Sequence, residues 1–463
     1  MGIFRTKSIN PGEYGTLRKC LNAFDVTFMG IGAIIGAGIF VLTGVVSATH
    51  AGPAVLLSYV VSGLACIFVA LSYAELAASI GGCGSAYSYA YAGLGEVIAW
   101  AIGWDLLLEY GLGISTVAIG WSGYVQNALT AVGIHLPALF LKGPFEGGFV
   151  NLPAVLVIAL ITFLLCLGVR ESARFNTAMV FVKLLAVALF IVVASFHVDT
   201  KNWAVFMPFG WTGIMHGAAL VFFAYIGFDA VSTAAEETIN PQRNLPIGII
   251  VSLIACTIIY IVVSALLTLV VPYQTLNVAS PVASVLLQLH HPVVAACISV
   301  GAIAGLTTVM LVLYYGFSRI FLAMARDGLL PQFFAKVHPR TQTPVSILLG
   351  SGLVFAFIAG MTPIGDLAEL VNIGTLAAFS VVCGGVLVLR RTQPDLHRPF
   401  KLPFGSVIPV LGITFCAYLM FSLPLITWVR FIIWMAIGLL FYFNYGKKRS
   451  VIGSESGPVA SKA

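Results

Sequence analysis

Gly30-Ile31-Gly32-Ala33-Ile34-Ile35-Gly36-Ala37-Gly38-Ile39-Phe40 lies in the middle of an apolar segment long enough to cross a membrane. Glycine clusters loosen a helical backbone. A backbone N–H or C=O left unpaired in hydrocarbon is costly unless another group satisfies it. A break at this depth is therefore useful where the freed groups grip a polar solute. The competing explanation is close helix packing through small residues.

The rest of the chain is as apolar as this stretch. Of 463 residues, 60% are hydrophobic and 9% charged, with a mean hydropathy of +1.03. That composition excludes a water-soluble globular protein. Windows of about 20 residues predict an all-α integral membrane protein with twelve transmembrane helices. They fall at 25–48, 53–79, 94–130, 152–170, 175–197, 213–235, 245–271, 292–324, 344–361, 367–390, 406–424 and 428–446. The third and eighth are long enough to tilt or to project from the bilayer.

With the N-terminus inside, 19 of the 23 lysines and arginines fall on the cytoplasmic side, three fall outside, and Lys183 lies within a span. The positive-inside rule thus places both termini in the cytoplasm, and the net charge of +6 is a topology signal unrelated to nucleic acid. Residues 1–24 form a leader in which Leu17, Leu21 and Phe24 suggest a short interfacial amphipathic turn. The tail, 447–463, is basic and then Ser/Gly-rich and reads as disordered. The eight cysteines are scattered without CxxC spacing and read as small packing residues.

A weak internal echo organises the chain. The sixth segment, five after the first, reads Phe222-Phe223-Ala224-Tyr225-Ile226-Gly227-Phe228-Asp229, with a glycine and an acid in mid-membrane. An odd number of helices per repeat makes the two copies face opposite ways. Interrupted segments at corresponding positions of inverted halves point to the binding site of a secondary transporter. The predicted layout is repeat 1 over 25–205, repeat 2 over 206–405, and two peripheral helices over 406–446.

Gly36-Ala37-Gly38-Ile39-Phe40 and Phe222 through Ser232 resemble the broken helices of the amino acid–polyamine–organocation superfamily. Glu236-Glu237-Thr238-Ile239-Asn240-Pro241-Gln242-Arg243-Asn244-Leu245-Pro246, Ser318-Arg319 and Arg326-Asp327-Gly328-Leu329-Leu330-Pro331 fit the same pattern. Within the superfamily the match is closest to bacterial homologues of the cationic amino acid transporter family, over about residues 16–448. The resemblance implies the LeuT-like fold: two inverted five-helix repeats, broken helices 1 and 6, and two peripheral helices.

An L-amino acid is a zwitterion, and a broken helix offers complementary ends: free N–H groups where the second half starts, free carbonyls where the first half stops. On this reasoning the substrate carboxylate lies on the N–H groups of Ala37 and Gly38, beside Gly36. The ammonium meets the carbonyls of Ile34, Phe223, Ala224 and Ile226. The resemblance places contacts at the same positions. Many relatives carry Thr where this chain has Ala37, which removes a hydroxyl bond but leaves the backbone donors. The resemblance also implies that Phe223 gates the site from outside and that Leu313 lines the side-chain pocket. A bulky apolar residue there favours small neutral substrates such as alanine, with broad selectivity.

Ionisable residues inside spans call for a partner or a function. The resemblance puts the Lys183 ammonium where sodium-coupled relatives hold their second sodium ion. Its charged form would tie the fifth span to the break in the first, and burial favours release of its proton. A tether that never titrates is the other reading. Glu109 is a second coupling candidate or a packing residue, with Asp105 one turn away on the same face and nearer the interface. Asp229 either stabilises the unwound part of the sixth span or takes a proton. Glu75 and Glu236 are expected to pair with loop arginines near the cytoplasmic side, and Asn240-Pro241 and Gly328 through Pro331 to mark helix stops and turns.

These readings converge on proton-coupled uptake of L-amino acids across the cell membrane, with the proton as coupling ion, no metal and no organic cofactor. A proton-independent exchanger of amino acids or polyamines is the alternative, and a channel a more distant one. No metal-ligand spacing, GxSxG or P-loop points to an enzyme. The expected partners are the substrate and the bilayer, with no nucleic acid. The protein is expected to be a monomer unless a small single-span subunit joins it.

Overall fold

The computed structural model describes residues 5–6, 19–80, 85–131, 134, 136–278, 280–362 and 364–451. The twelve windows above keep their numbers as segments 1–12. No β-strand occurs among the described residues; a single parallel bridge joins Leu21 to Thr238. Eight helical stretches are long and apolar enough to cross a membrane, the first of them, Ala23–Ser79, carrying segments 1 and 2 together. Leu152–Leu167, Val345–Met361 and Val407–Phe421 are shorter apolar helices. The outer surface is itself apolar, with Leu185, Leu353 and Leu425 each more than 70% exposed. That suits a lipid environment and would be penalised in water.

Segment 1 starts abruptly because Asn22 caps it. Its side chain accepts from the N–H groups of Phe24 (2.8 Å) and Asp25 (3.1 Å), while Asp25 accepts from the N–H of Asn22 (3.0 Å). The expected amphipathic turn is therefore not formed at its described residues. Leu21 is extended, its N–H donating to the Glu237 carbonyl, and Phe24 opens the helix and stacks on Phe28. Leu17 lies outside the described residues.

The α-helix Ala23–Ile34 stops at Ile35, whose ψ of 101° leaves the helical region, and resumes at Gly38. Segment 6 runs as an α-helix Gly210–Val221, tightens to a 3₁₀ turn over Phe222–Tyr225, breaks, and continues as a 3₁₀ stretch Asp229–Glu237. The break needs Gly227, at φ +110°. The two breaks face each other closely. A Cβ on Gly38 would lie 2.1 Å from Ala224 Cβ, and one on Gly227 would lie 2.9 Å from Ala33 Cβ. Each glycine admits the backbone of the other segment.

Segments 3 (Glu96–Ala131) and 8 (Pro292–Arg326) contain 36 and 35 residues. At 1.5 Å per residue each is about 50 Å long, well beyond the roughly 30 Å hydrocarbon core. Segments 6 and 8 are central, with 72% of their apolar windows buried, whereas that of segment 12 is 17% buried. Segment 5 begins at Val169 instead of 175, and segment 4 ends at Leu167 instead of 170. Gly168, at φ +141°, turns the chain in one residue where a loop was expected. Asn240 in the left-handed region and Pro241 at the first helical position start segment 7, a helix entry where a stop was expected. The tail is ordered at its beginning: Lys447–Arg449 form a helical turn and Val451 donates to the Asp327 carbonyl. Residues 452–463 lie outside the described part.

Gly227→Ala forces a side chain into a left-handed position against Ala33 and is expected to cost about 1–3 kcal/mol. Thermal unfolding of the purified protein should show a lowered Tm. Gly120→Ala, where an added Cβ meets nothing within 4 Å, should leave Tm unchanged or raise it.

Candidate functional site

Between the breaks lies a small cavity walled by Ala33, Ile34, Ala37, Gly38, Gly113, Val117, Phe223, Ile226, Val309, Leu313 and Val371. Six of the eight sequence-predicted substrate positions are on this wall. The other two support it: Ala224 is the residue against which Gly38 packs, and a Cβ on Gly36 would strike Val309. The free volume is about 20 Å³, room for roughly one water. Admitting an amino acid requires the walls to part. Phe223 is the least buried residue of the otherwise buried stretch 221–238, as is Ala37 within 29–40. The wall carries no charged side chain, so recognition of a charged group there falls to backbone dipoles.

The carbonyls at the end of the first half-helix are taken up by two side chains from other segments. Lys183, fully buried on segment 5, donates to the carbonyls of Ile31 (2.9 Å), Gly32 (3.0 Å) and Ile35 (2.9 Å) and to Thr308 Oγ1 on segment 8 (3.0 Å). Three ammonium protons face four oxygens, at the negative end of a helix dipole. Thr308 Oγ1 also lies 2.9 Å from the Gly32 carbonyl, so lysine, threonine and the broken helix form one network.

Tyr260 on segment 7 serves the other carbonyls. Its hydroxyl lies 2.5 Å from the Ile34 carbonyl and 2.9 Å from that of Ala224. These are two of the four acceptors expected for a substrate ammonium, one from each break. A phenol has one proton to donate, so it cannot fully satisfy both. The Phe223 carbonyl accepts from Ile226 N–H at 3.3 Å. Beyond the break, the Gly38 carbonyl accepts from the hydroxyls of Tyr59 (3.0 Å) and Thr43 (3.1 Å), and the Phe40 carbonyl from Tyr124 (2.8 Å).

The predicted acids separate into two kinds. Asp229 is fully partnered: Tyr110 donates to Oδ2, and Gly227 N–H to Oδ1 at 3.3 Å. Its carboxylate caps the very break that Gly227 creates. Glu109 and Asp105 are buried; among the described residues neither carboxyl oxygen of Asp105 has a hydrogen-bond partner, and Glu109 has the Thr375 hydroxyl beside it. Asp105 is fully buried. It faces segment 10, where a Cβ on Gly374 would lie 2.6 Å from Oδ1. The absent side chain at Gly374 makes the space.

A family model for amino acid permeases matches residues 21–442. The chain belongs to the amino acid permease family. It is 50% identical over 456 residues to the methylthioribose transporter of Bacillus subtilis (strain 168), covering 97% of this chain and 99% of that protein. It is 51% identical over 459 residues to the branched-chain amino acid permease BcaP of the same organism, covering 97% and 98%. Human cationic amino acid transporter 4 is 37% identical over 382 residues, covering 81% of this chain and 60% of that protein. These relatives are transporters and permeases, not enzymes, and the apolar helices make this permease a multi-pass membrane protein.

Ion pairs knit segments 2 and 6 to their neighbours. Glu236 on segment 6 pairs with Arg326 (3.2 Å), and Glu75 on segment 2 with Arg390 (2.6 Å) and Arg398 (3.6 Å). Arg326 and Arg390 sit in last helical turns and Arg398 in a loop. Sequence reasoning missed Glu237, which is buried and pairs with Arg319 on segment 8 at 2.7 Å. It also missed Tyr260 and Thr308. An isolated phenol within Ile258-Ile259-Tyr260-Ile261-Val262 could have been noticed, because a hydroxyl in an apolar span needs a partner. The threonine carried no comparable signal.

Tyr260→Phe removes the shared hydroxyl and frees the Ile34 and Ala224 carbonyls. Substrate KM measured by uptake is expected to change by about tenfold, in line with one hydrogen bond gained or lost at a buried site, with smaller effect on expression.

Proposed function

We propose that this permease takes up small neutral L-amino acids in symport with protons. In this reading twelve helices cross the cell membrane as two inverted five-helix repeats, 25–205 and 206–405, followed by two peripheral helices. Both termini face the cytoplasm, as the distribution of basic residues suggests. The substrate carboxylate docks at the start of the second half-helix, on Ala37 and Gly38, and the ammonium on the carbonyls of Ile34, Phe223, Ala224 and Ile226. Binding then displaces the Tyr260 hydroxyl from the carbonyls it shares. Phe223 covers the site, and Leu313 limits the side chain.

The observation that carries the coupling is the Lys183 network. A buried ammonium held by three carbonyls at the end of a broken helix stabilises one arrangement of that helix when charged. Loss of its proton removes part of that hold, so proton transfer and movement of segment 1 are linked. Glu109 is a second group available to carry a proton, since it is buried and has no ion pair among the described residues. Asp229, held by Tyr110 and Gly227, is better suited to keeping the break in shape.

A second reading of the substrate follows from the relative named as a methylthioribose transporter. A cavity without charged side chains also suits a neutral, hydroxyl-bearing solute held by backbone groups. The other relative, named for branched-chain amino acids, widens the range of neutral side chains to be tried.

The deciding measurement is uptake of labelled L-alanine into proteoliposomes under an inward proton gradient, with an inward sodium gradient as control. Leucine and methylthioribose serve as competitors. Proton-driven accumulation lost with an uncoupler is expected. Uptake only after preloading with internal amino acid would make the protein an exchanger, and transport of methylthioribose alone would replace the substrate. Lys183→Ala should abolish accumulation against a gradient; a variant that still concentrates substrate would remove the lysine from coupling. Leu313→Ser should admit bulkier or cationic amino acids, improving their competition by about tenfold or more, whereas an unchanged profile would take Leu313 out of the pocket.

A further inference from the structure

Segments 3, 8, 9 and 12 leave a groove between them with a free volume of about 580 Å³. The aromatic side chains of Trp104, Phe317, Phe321, Phe334, Phe355 and Trp434 ring it. The Phe355 ring is drawn back against segment 3 at Gly111, where a Cβ would lie 2.7 Å from it. The mouth is at Val354, which is 53% exposed, and at Gly350, where an added Cβ would meet nothing within 4 Å.

This wall offers a ligand no polar handle. The indole N–H of Trp104 donates to the Trp434 carbonyl at 3.1 Å, and that of Trp434 to the Trp104 carbonyl at 3.3 Å. The Ser351 hydroxyl donates to the Ile347 carbonyl at 2.6 Å. No charged residue lies on the wall, so neither water nor an amino acid finds the partners it needs there. Along segment 9 the wall runs from Ile347 to Ile358, about 16 Å at 1.5 Å per residue. That is the depth of one leaflet, half of the roughly 30 Å hydrocarbon core. Phe334 lies on the connection between segments 8 and 9, and Lys336 and Arg340 are exposed beyond it on the same connection.

We propose that this groove binds a membrane phospholipid, with a chain between segments 3, 8, 9 and 12 and an acidic head group at Lys336 and Arg340. Size decides between a lipid and a partner helix. A helix about 10 Å wide would fill about 1,200 Å³ over that depth, about twice the free volume. A lipid chain is thinner and bends to the wall. In a bilayer its gain lies in packing contacts and not in removal from water. Rigid rings held by the fold give a bound chain more of those contacts than mobile neighbouring tails do. The basic connection attracts an anionic head group, as basic segments do at a membrane surface. The inference does not depend on which substrate or coupling ion the permease uses.

The experiment uses the full chain, purified and washed free of lipid in detergent. Phosphatidylglycerol or phosphatidylcholine is added back, bound lipid is counted by native mass spectrometry, and Tm is read in parallel. The parent is expected to bind one phosphatidylglycerol in preference to phosphatidylcholine and to gain Tm with it. Gly350→Phe and Val354→Phe each put a ring into the mouth. Both should weaken phosphatidylglycerol binding by about tenfold, because chain and ring together overpack the groove. Both should also lose the lipid-dependent gain in Tm while keeping the lipid-free Tm. Leu353→Phe, on the same helix but outside the groove and 77% exposed, should match the parent. Lys336→Gln should reduce the preference for phosphatidylglycerol. Parental binding in both Gly350→Phe and Val354→Phe would overturn the site, as would equal weakening in Leu353→Phe. Equal binding of the two lipids by the parent would overturn the acidic head group.

Discussion

A helix stopped inside an apolar bundle leaves buried carbonyl oxygens without helical partners, and much of this structure is arranged around satisfying them. Lys183 answers for Ile31, Gly32 and Ile35, with Thr308 completing the network. The helix end carries partial negative charge, so a cation is a better partner there than a neutral donor. The same bonds tie segments 1, 5 and 8 together. Segments 5 and 8 are tightly joined a turn away, where Gly301 lies so near Ala186 that a Cβ would come within 2.2 Å. The ammonium is both the electrostatic counterpart of the break and a mechanical tie.

Remaining carbonyls at the two breaks fall to tyrosines, and this divides the site into permanent and exchangeable parts. Tyr59 and Tyr124 bind carbonyls on the resumed half of segment 1, as fixtures of the fold. Tyr260 reaches one carbonyl from each break, so it closes the space between them with a single proton. A ligand bearing several donors satisfies those carbonyls more completely than a phenol does. In the proposed mode of binding, that asymmetry would be a local source of free energy.

How much of this was legible in the sequence depends on range. Glycine clusters, hydropathy windows and the lone lysine are local signals. They located both breaks, the long apolar helices and the residue that binds the first break, but not the short helices Ala86–Gly93 and Pro281–Gln288. Gly168 and Asn240-Pro241 were readable in kind but not in effect, because a positive φ turns the chain without using the residues a loop would need. The partners of Glu75 and Glu236 were expected as arginines, yet the deeper Glu237–Arg319 pair was overlooked, since two neighbouring acids look alike until their arginines are seen, one partly exposed and one buried. Asp105 was assigned by its distance along a helix from Glu109. Its burial comes from a missing side chain on segment 10, which no feature of segment 3 reveals. The Tyr260 bridge joins carbonyls 36 and 226 residues away from it in the chain, and backbone carbonyls carry no sequence label.

Segment 12, the least buried of the helices, is fixed to segment 3 by indoles. Trp104 and Trp434 each donate to the other's carbonyl, and Trp100 donates to that of Gly438, where the missing side chain makes room for the Trp104 ring. The rings of Trp100 and Trp104 stack, as do those of Trp104 and Trp434. Three of the seven tryptophans are thereby concentrated in one seam. The molecule's ultraviolet emission therefore carries a contribution from the attachment of its outermost helix, alongside that of the four indoles elsewhere.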